Sequence, residues 1–164
     1  MLRPICAALA FLICAAAGMI RAERMKLRLS AAEGLLSDLG VIEASLRYER
    51  KPALLIAEEL ARSGKLSRFW NSILIVMNDG LSFGDAWRKV KGELGIGKTE
   101  LAALDGFAEN FGSTDAETEL ARLFAAKARL SDAVSALRAE YPKKRKLASS
   151  LGMLAGCAAA LMLI

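Results

Sequence analysis

Two patterns of apolar and polar positions divide the chain. Residues 2–20 and 147–164 are apolar almost without interruption, whereas between them apolar side chains return every three or four positions with charged residues in the gaps. The second pattern is that of amphipathic helices, because side chains three and four apart share one face of a 3.6-residue turn. From Ala22 to about Arg50 the stripe Met25, Leu29, Ala32, Leu36, Leu39, Ile42 and Leu46 predicts one long helix. Gly34 and Gly40 weaken it by up to about 1 kcal/mol each, which marks Gly40 as the place for a bend or break.

Pro52 restarts the chain as a first-turn proline, and Leu55, Ile56, Leu60 and Ala61 predict a short helix stopped near Gly64. Leu66, Phe69, Trp70, Ile73, Leu74 and Met77 predict a third helix ending before Gly80; Ile73 to Met77 alone would also suit a buried strand, but the flanking register favours helix. Ser82 with Asp85 forms a capping box ahead of Ala86, Trp87 and Val90. Gly92, Gly95 and Gly97 predict a loop, after which Thr99 is expected to cap a helix with Leu101, Leu104, Phe107, Ala108 and Phe111 on its apolar face. Thr114 with Glu117 is the last capping signal. It opens a helix of about 27 residues lined by Leu120, Leu123, Phe124, Leu130, Val134, Leu137 and Tyr141 and running to Pro142. Six amphipathic segments with short loops and no convincing strand predict an all-α protein, with residues 22–142 as a small antiparallel helix bundle.

The apolar ends change this picture. Residues 147–164 carry no charge and as a helix reach about 27 Å, close to the roughly 30 Å of a bilayer core. Lys143, Lys144, Arg145 and Lys146 stand directly before them as a lipid anchor. Residues 2–20 form the second predicted transmembrane helix, closed by Arg21, Arg24, Lys26 and Arg28. Gly18 in the first span, and the GxxxG pair Gly152 and Gly156 in the last, supply small-residue stripes suited to close helix packing, within one chain or between chains of a homo-oligomer. A cleavable signal peptide is the competing reading of the N-terminus, since Ala15, Ala16 and Ala17 suit a cleavage site. The basic residues behind the apolar core count against it, because they resist translocation.

Charge placement decides sidedness and argues against nucleic acid. The formal charge is +5, yet residues 29–142 hold 14 Lys and Arg against 17 Asp and Glu. The positive excess therefore flanks the apolar ends, which suits a membrane surface and not a basic DNA- or RNA-binding face. By the positive-inside rule the middle domain is cytosolic and both termini lie across the membrane.

Candidate chemistry is sparse. The chain has no histidine, the commonest general base and metal ligand, and Cys6, Cys14 and Cys157 lie in the apolar ends without a CxxC pair. No catalytic residue, metal site or cofactor is expected. Gly92 to Thr99 does spell GxxxxGK[ST], the loop whose amides cradle phosphates. That chemistry needs a buried strand before the loop and a parallel sheet around it, whereas Asp85 to Lys91 reads as a charged helix, so a nucleotide-binding protein is the minor alternative. Glu58 with Glu59, and Glu117 with Glu119, are expected on solvated helix faces.

Several landmarks in order also carry a resemblance: Tyr48 and Pro52, Ala86 and Trp87, the 107–115 segment with Gly112, Ser113, Thr114 and Asp115, and Leu151, Gly152, Met153, Leu154, Ala155 and Gly156 near the C-terminus. In these the chain resembles the stage III sporulation protein AB family of endospore-forming bacteria over nearly its full length. Ala108, Phe111 and Glu119 depart from that family's usual Gly, Leu and Gln. The resemblance implies a two-pass membrane component of the channel between mother cell and forespore, in the outer forespore membrane on the mother-cell side. It is similar in turn to the inner-membrane platform proteins of type II secretion and type IV pilus machines. It implies a non-enzymatic scaffold whose bundle docks a cytosolic hexameric ATPase and other membrane subunits. Expected contact residues are Gly112, Thr114, Asp115 and Glu119 at one turn, and Lys143 to Lys146 toward lipid or partner. An exported, tail-anchored helical protein with a cleaved signal is the alternative.

Overall fold

A computed structural model describes residues 2–163, excepting the side chains of 2–15, 18, 144, 145, 148, 149, 151–153 and 155–163. The described residues contain helices and no strand. There are six α-helices: α1 (Leu2–Ala44), α2 (Ala53–Ser63), α3 (Ser67–Asn78), α4 (Phe83–Val90), α5 (Lys98–Ala108) and α6 (Ala116–Leu163). A π-helical turn, Ser45–Glu49, follows α1, and a 3₁₀ turn, Lys91–Leu94, follows α4.

The order matches the periodicity, with instructive differences. The helix expected from Ala22 is the continuation of the N-terminal apolar stretch, and it runs through Gly34 and Gly40 without a break. Packing on both sides of Gly40, at the fully buried Leu39 and Ile42, outweighs the glycine's intrinsic cost. The irregularity falls instead at Ser45–Glu49. Likewise α6 passes through Pro142. Ile73 to Met77 is helical, as its flanks predict, and Gly80 follows α3 with φ of 86°.

The chain groups into two compact units. One joins Met1–Leu27 with Ala136–Ile164. Of its described apolar side chains, Met19, Ile20, Leu27, Leu147 and Leu154 are more than half exposed, whereas Met25, Leu137 and Tyr141 are half-buried. The spans expected at 2–20 and 147–164, with Gly18, Gly152 and Gly156, lie wholly or mostly outside the described side chains. Among the described residues no helix is long and apolar enough to cross a membrane.

The other unit, Arg28–Ser135, holds the core. Its α1 section buries Ala32, Leu35, Leu39, Ile42 and Leu46, so the stripe turns on Leu35, and the expected Leu36 is half-buried. An aromatic cluster occupies the centre: Phe69 meets Trp70 and Trp87 edge-on at 5.3 and 5.8 Å, and Phe111 meets Phe83 and Phe107 at 4.9 Å. Edge-to-face packing, as in every one of these pairs but the tilted Phe107 with Phe111, adds about 0.5–1.5 kcal/mol per pair beyond area burial. From α6 come Leu123, Ala126, Leu130 and Val134; Phe124, expected with them, is 45% exposed.

Buried carboxylates tie the helices together. Asp38, on the apolar face of α1, accepts hydrogen bonds from Lys65 N at 2.7 Å, Leu66 N at 3.1 Å and Trp70 Nε1 at 2.7 Å. One carboxylate thus satisfies two amides entering α3 and the indole of its first turn. Lys127 of α6 donates to Glu43 of α1 at 2.7 Å.

Candidate docking surface

Three polar turns of the Arg28–Ser135 unit are candidate sites, and the structure treats them differently. In the glycine loop, the segment spelling GxxxxGK[ST] opens inside the 3₁₀ turn and is preceded by α4, not by a strand. Gly95 takes a left-handed φ of 64°. Across Gly97 lies the Arg28 guanidinium: a Cβ there would sit 2.0 Å from Arg28 Nη2 and 2.5 Å from Arg28 Cζ. Arg28 Nη2 donates to both oxygens of Glu100 at 2.8 Å, and Glu100 is only 2% exposed. Glycine at 97 is therefore explained by the close passage of an arginine of the same chain. Lys98 and Thr99 point to solvent, and α5 starts at Lys98 with Gly97 as its N-cap and no side-chain cap, so the expected Thr99 cap is corrected. Among the described residues no cluster of His, Cys, Asp or Glu is arranged to hold a metal.

The second turn, between α5 and α6, carries the expected contacts Gly112, Thr114, Asp115 and Glu119. The first three are exposed. Glu119 is 6% exposed and accepts from Gly112 N at 2.7 Å and Thr114 N at 3.4 Å. This corrects its placement on a solvated face: its carboxylate holds the turn from inside. The cap of α6 is Asp115, which accepts from Thr118 N at 3.0 Å, and not Thr114. Those amide hydrogen bonds hold the Asp115 carboxyl below its ordinary value. Gly112 has φ of 83°, and a Cβ on it would lie 3.1 Å from Ala53 Cβ, so the turn abuts the start of α2.

The third turn, Ser45 to Pro52, joins α1 to α2. The π-helical turn ends at Arg50, which takes the left-handed region at φ 49° and donates its N–H to Ser45 O. Lys51 forms ion pairs with Glu49 and, at 2.8 Å, with Glu59 of α2. The hydrogen bonds that Lys51 donates to Glu49 and Glu59 raise its pKa above the ordinary value. Tyr48 is 78% exposed, with Arg47 over its ring at 5.9 Å. Leu54 and Leu55, the next large apolar side chains, are also exposed.

The remaining expected sites divide between description and its edge. Lys143 and Lys146 are exposed, whereas the side chains of Lys144 and Arg145 lie outside the described residues. Two predicted features hold as local chemistry. Asp85 N donates to Ser82 Oγ at 3.2 Å, completing the N-terminus of α4, and the Ser82 hydroxyl and Arg88 keep the Asp85 carboxyl below its ordinary value. Trp87 is core, and its Nε1 donates to Asp105 at 2.8 Å beside Lys91 Nζ at 2.9 Å.

Periodicity alone overlooked the anchoring roles of Asp38, Glu100 and Glu119. For Asp38 a signal existed: it stands three positions after Leu35 and four before Ile42, a charge on an otherwise apolar face. No comparable cue marks Arg28 as the partner of Glu100, 72 positions away.

No curated protein and no solved structure matches the chain. The family model of stage III sporulation protein AB, however, matches residues 3–164, and with an all-helical fold on the page and no strand before the glycine loop, the chain belongs to that family.

Proposed function

We propose that this stage III sporulation protein is a non-enzymatic membrane scaffold of the sporulation channel apparatus, whose helical unit docks a cytosolic hexameric ATPase and other membrane subunits. The observation that carries the reading is the family match over residues 3–164. Charge placement supports it: residues 29–142 are nearly balanced, while Arg21, Arg24, Lys26 and Arg28 and the run Lys143 to Lys146 adjoin the two apolar ends. A pair of basic clusters beside apolar stretches of spanning length is the arrangement of a two-pass protein with its middle on the cytosolic side. The helices suit such a tether, since α1 and α6 each run from an apolar end into the folded unit.

In the glycine loop, Arg28 lies where a phosphate-cradling segment would keep its backbone open, which supports recruitment over nucleotide chemistry.

Two measurements test this. Alkaline carbonate should leave the full-length chain in the membrane, with residues 2–20 still present on N-terminal sequencing; release by carbonate refutes the tether, and loss of those residues favours the exported form. Co-purification with the apparatus ATPase from detergent-solubilised membranes should depend on the chain, and its absence refutes the ATPase-docking role.

A further inference from the structure

The turn between α1 and α2 spends conformational free energy on groups that leave the core. Arg47, Tyr48, Glu49 and Arg50 are all exposed, in a π-helical turn that ends on a non-glycine residue in the left-handed region. A left-handed residue after a helix is usually glycine, because a Cβ there crowds the following carbonyl. Strained or π-helical segments concentrate where a side chain has to be presented to something else.

What the turn presents has a definite chemistry. Lys51 holds the turn against α2 through Glu49 and Glu59, and in doing so it engages both nearby carboxylates. Among the described residues, Arg47 and Arg50 have no ion pair. Two guanidinium groups without a carboxylate partner therefore flank a tyrosine that is 78% exposed, that of Arg47 lying over its ring, with Leu54 and Leu55 exposed at 37% and 46% on the first turn of α2. Tyrosine and arginine are among the types that dominate binding energy at protein interfaces.

The structure assigns the Arg47–Leu55 turn as a docking site for a partner protein whose contact segment carries carboxylates beside apolar side chains. Charge complementarity selects this occupant. An anionic lipid surface calls for clusters of about four to eight cations, whereas only two are free here and Glu49 lies between them. A second copy of the same turn would meet arginine with arginine, since its own carboxylates are taken by Lys51.

The inference rests on the docking role proposed above. Its test places a photo-cross-linking benzoylphenylalanine at Tyr48 in the full-length, membrane-bound chain of a sporulating host, with Ser131, exposed on α6, as the control position. The expected adduct joins Tyr48 to one protein through a segment containing Asp or Glu, at least about tenfold above the control. R47E/R50E should abolish that gain, and reversing the partner's acidic residues to Lys should restore it. R50G should lower the adduct yield while leaving the urea midpoint unchanged or higher, because glycine relieves the left-handed corner; a purely structural role moves only the midpoint.

An adduct to lipid, an adduct to a second copy, no excess over Ser131, or a yield indifferent to R47E/R50E would each overturn the site. Failure of the docking role itself looks different: an ATPase that purifies without the chain, with or without Tyr48.

Discussion

The two ends of the folded section of α1 show opposite uses of arginine. At one end Arg28 turns across Gly97 onto the buried Glu100, and at the other Arg47 and Arg50 stand free around an exposed tyrosine. Ion pairing of a nearly buried carboxylate converts charge into structure, since removing one partner strands the other in low dielectric. A free guanidinium on a strained turn contributes little to folding and remains available for a partner. The lesson is that an arginine on α1 and those of the turn that follows it can be assigned to stability or to recognition by asking which carboxylate each one meets.

The largest expected effect lies between the ends. Asp38→Ala leaves two amides and an indole N–H without their acceptor and should cost about 3–5 kcal/mol, read as a fall in the urea midpoint of the full chain in detergent. A loss under about 1 kcal/mol would mean that other groups take over this carboxylate's role. Next, Glu100→Ala should cost about 2–3 kcal/mol, discounted because Arg28 is 38% exposed and retains solvent. Gly97→Ala should cost less than this, since its Cβ would meet the Arg28 guanidinium, which can swing toward solvent at the expense of its bonds to Glu100; a Gly97→Ala midpoint equal to that of the parent would remove the steric account of this glycine.

Smaller is the effect of Glu119→Ala, about 1–2 kcal/mol from the amide hydrogen bonds of the α5–α6 turn. Acid gives a related test. Burial tends to raise the Asp105 pKa, but hydrogen bonds from Trp87 and Lys91 outweigh it and hold the group below 3.8. A depressed folded pKa contributes stability that is complete above the unfolded value and is lost as pH falls through the folded one. The urea midpoint should therefore drop below pH 3.8, and Asp105→Asn should flatten that acid limb. At the small end, Tyr48→Ala and Lys98→Ala should each change stability by no more than about 0.5 kcal/mol. Tyr48→Ala should nevertheless reduce sporulation in a host that depends on the chain, whereas Lys98→Ala should not. Normal sporulation with Tyr48→Ala would end the comparison drawn between the two ends.

Much of the fold was legible because helix periodicity is local. The Ser82 cap, the glycine-ended α3 and the aromatic positions Phe69, Trp70, Phe107 and Phe111 all follow from spacing within a dozen residues. Boundaries governed by packing were less legible: α1 continues through Gly40, α6 continues through Pro142, and Phe124 is exposed on a face expected to be buried. Of the contact residues proposed for the α5–α6 turn, Glu119 proved to be an interior support. A faint cue existed, since Glu119 stands four positions before Leu123 and seven before Ala126 on the buried stripe, whereas Glu117, two positions away, points to solvent.

By itself the sequence determined that the described chain is helical, that its positive excess gathers beside two apolar ends, and to which family it belongs, because periodicity, charge placement and family landmarks need no knowledge of what folds against what. Only the tertiary structure decided the fate of individual polar groups. Whether a carboxylate is solvated or buried depends on donors as distant as the 72 positions between Arg28 and Glu100, and the free energy of burying a charge is set by those partners and not by its neighbours in the chain.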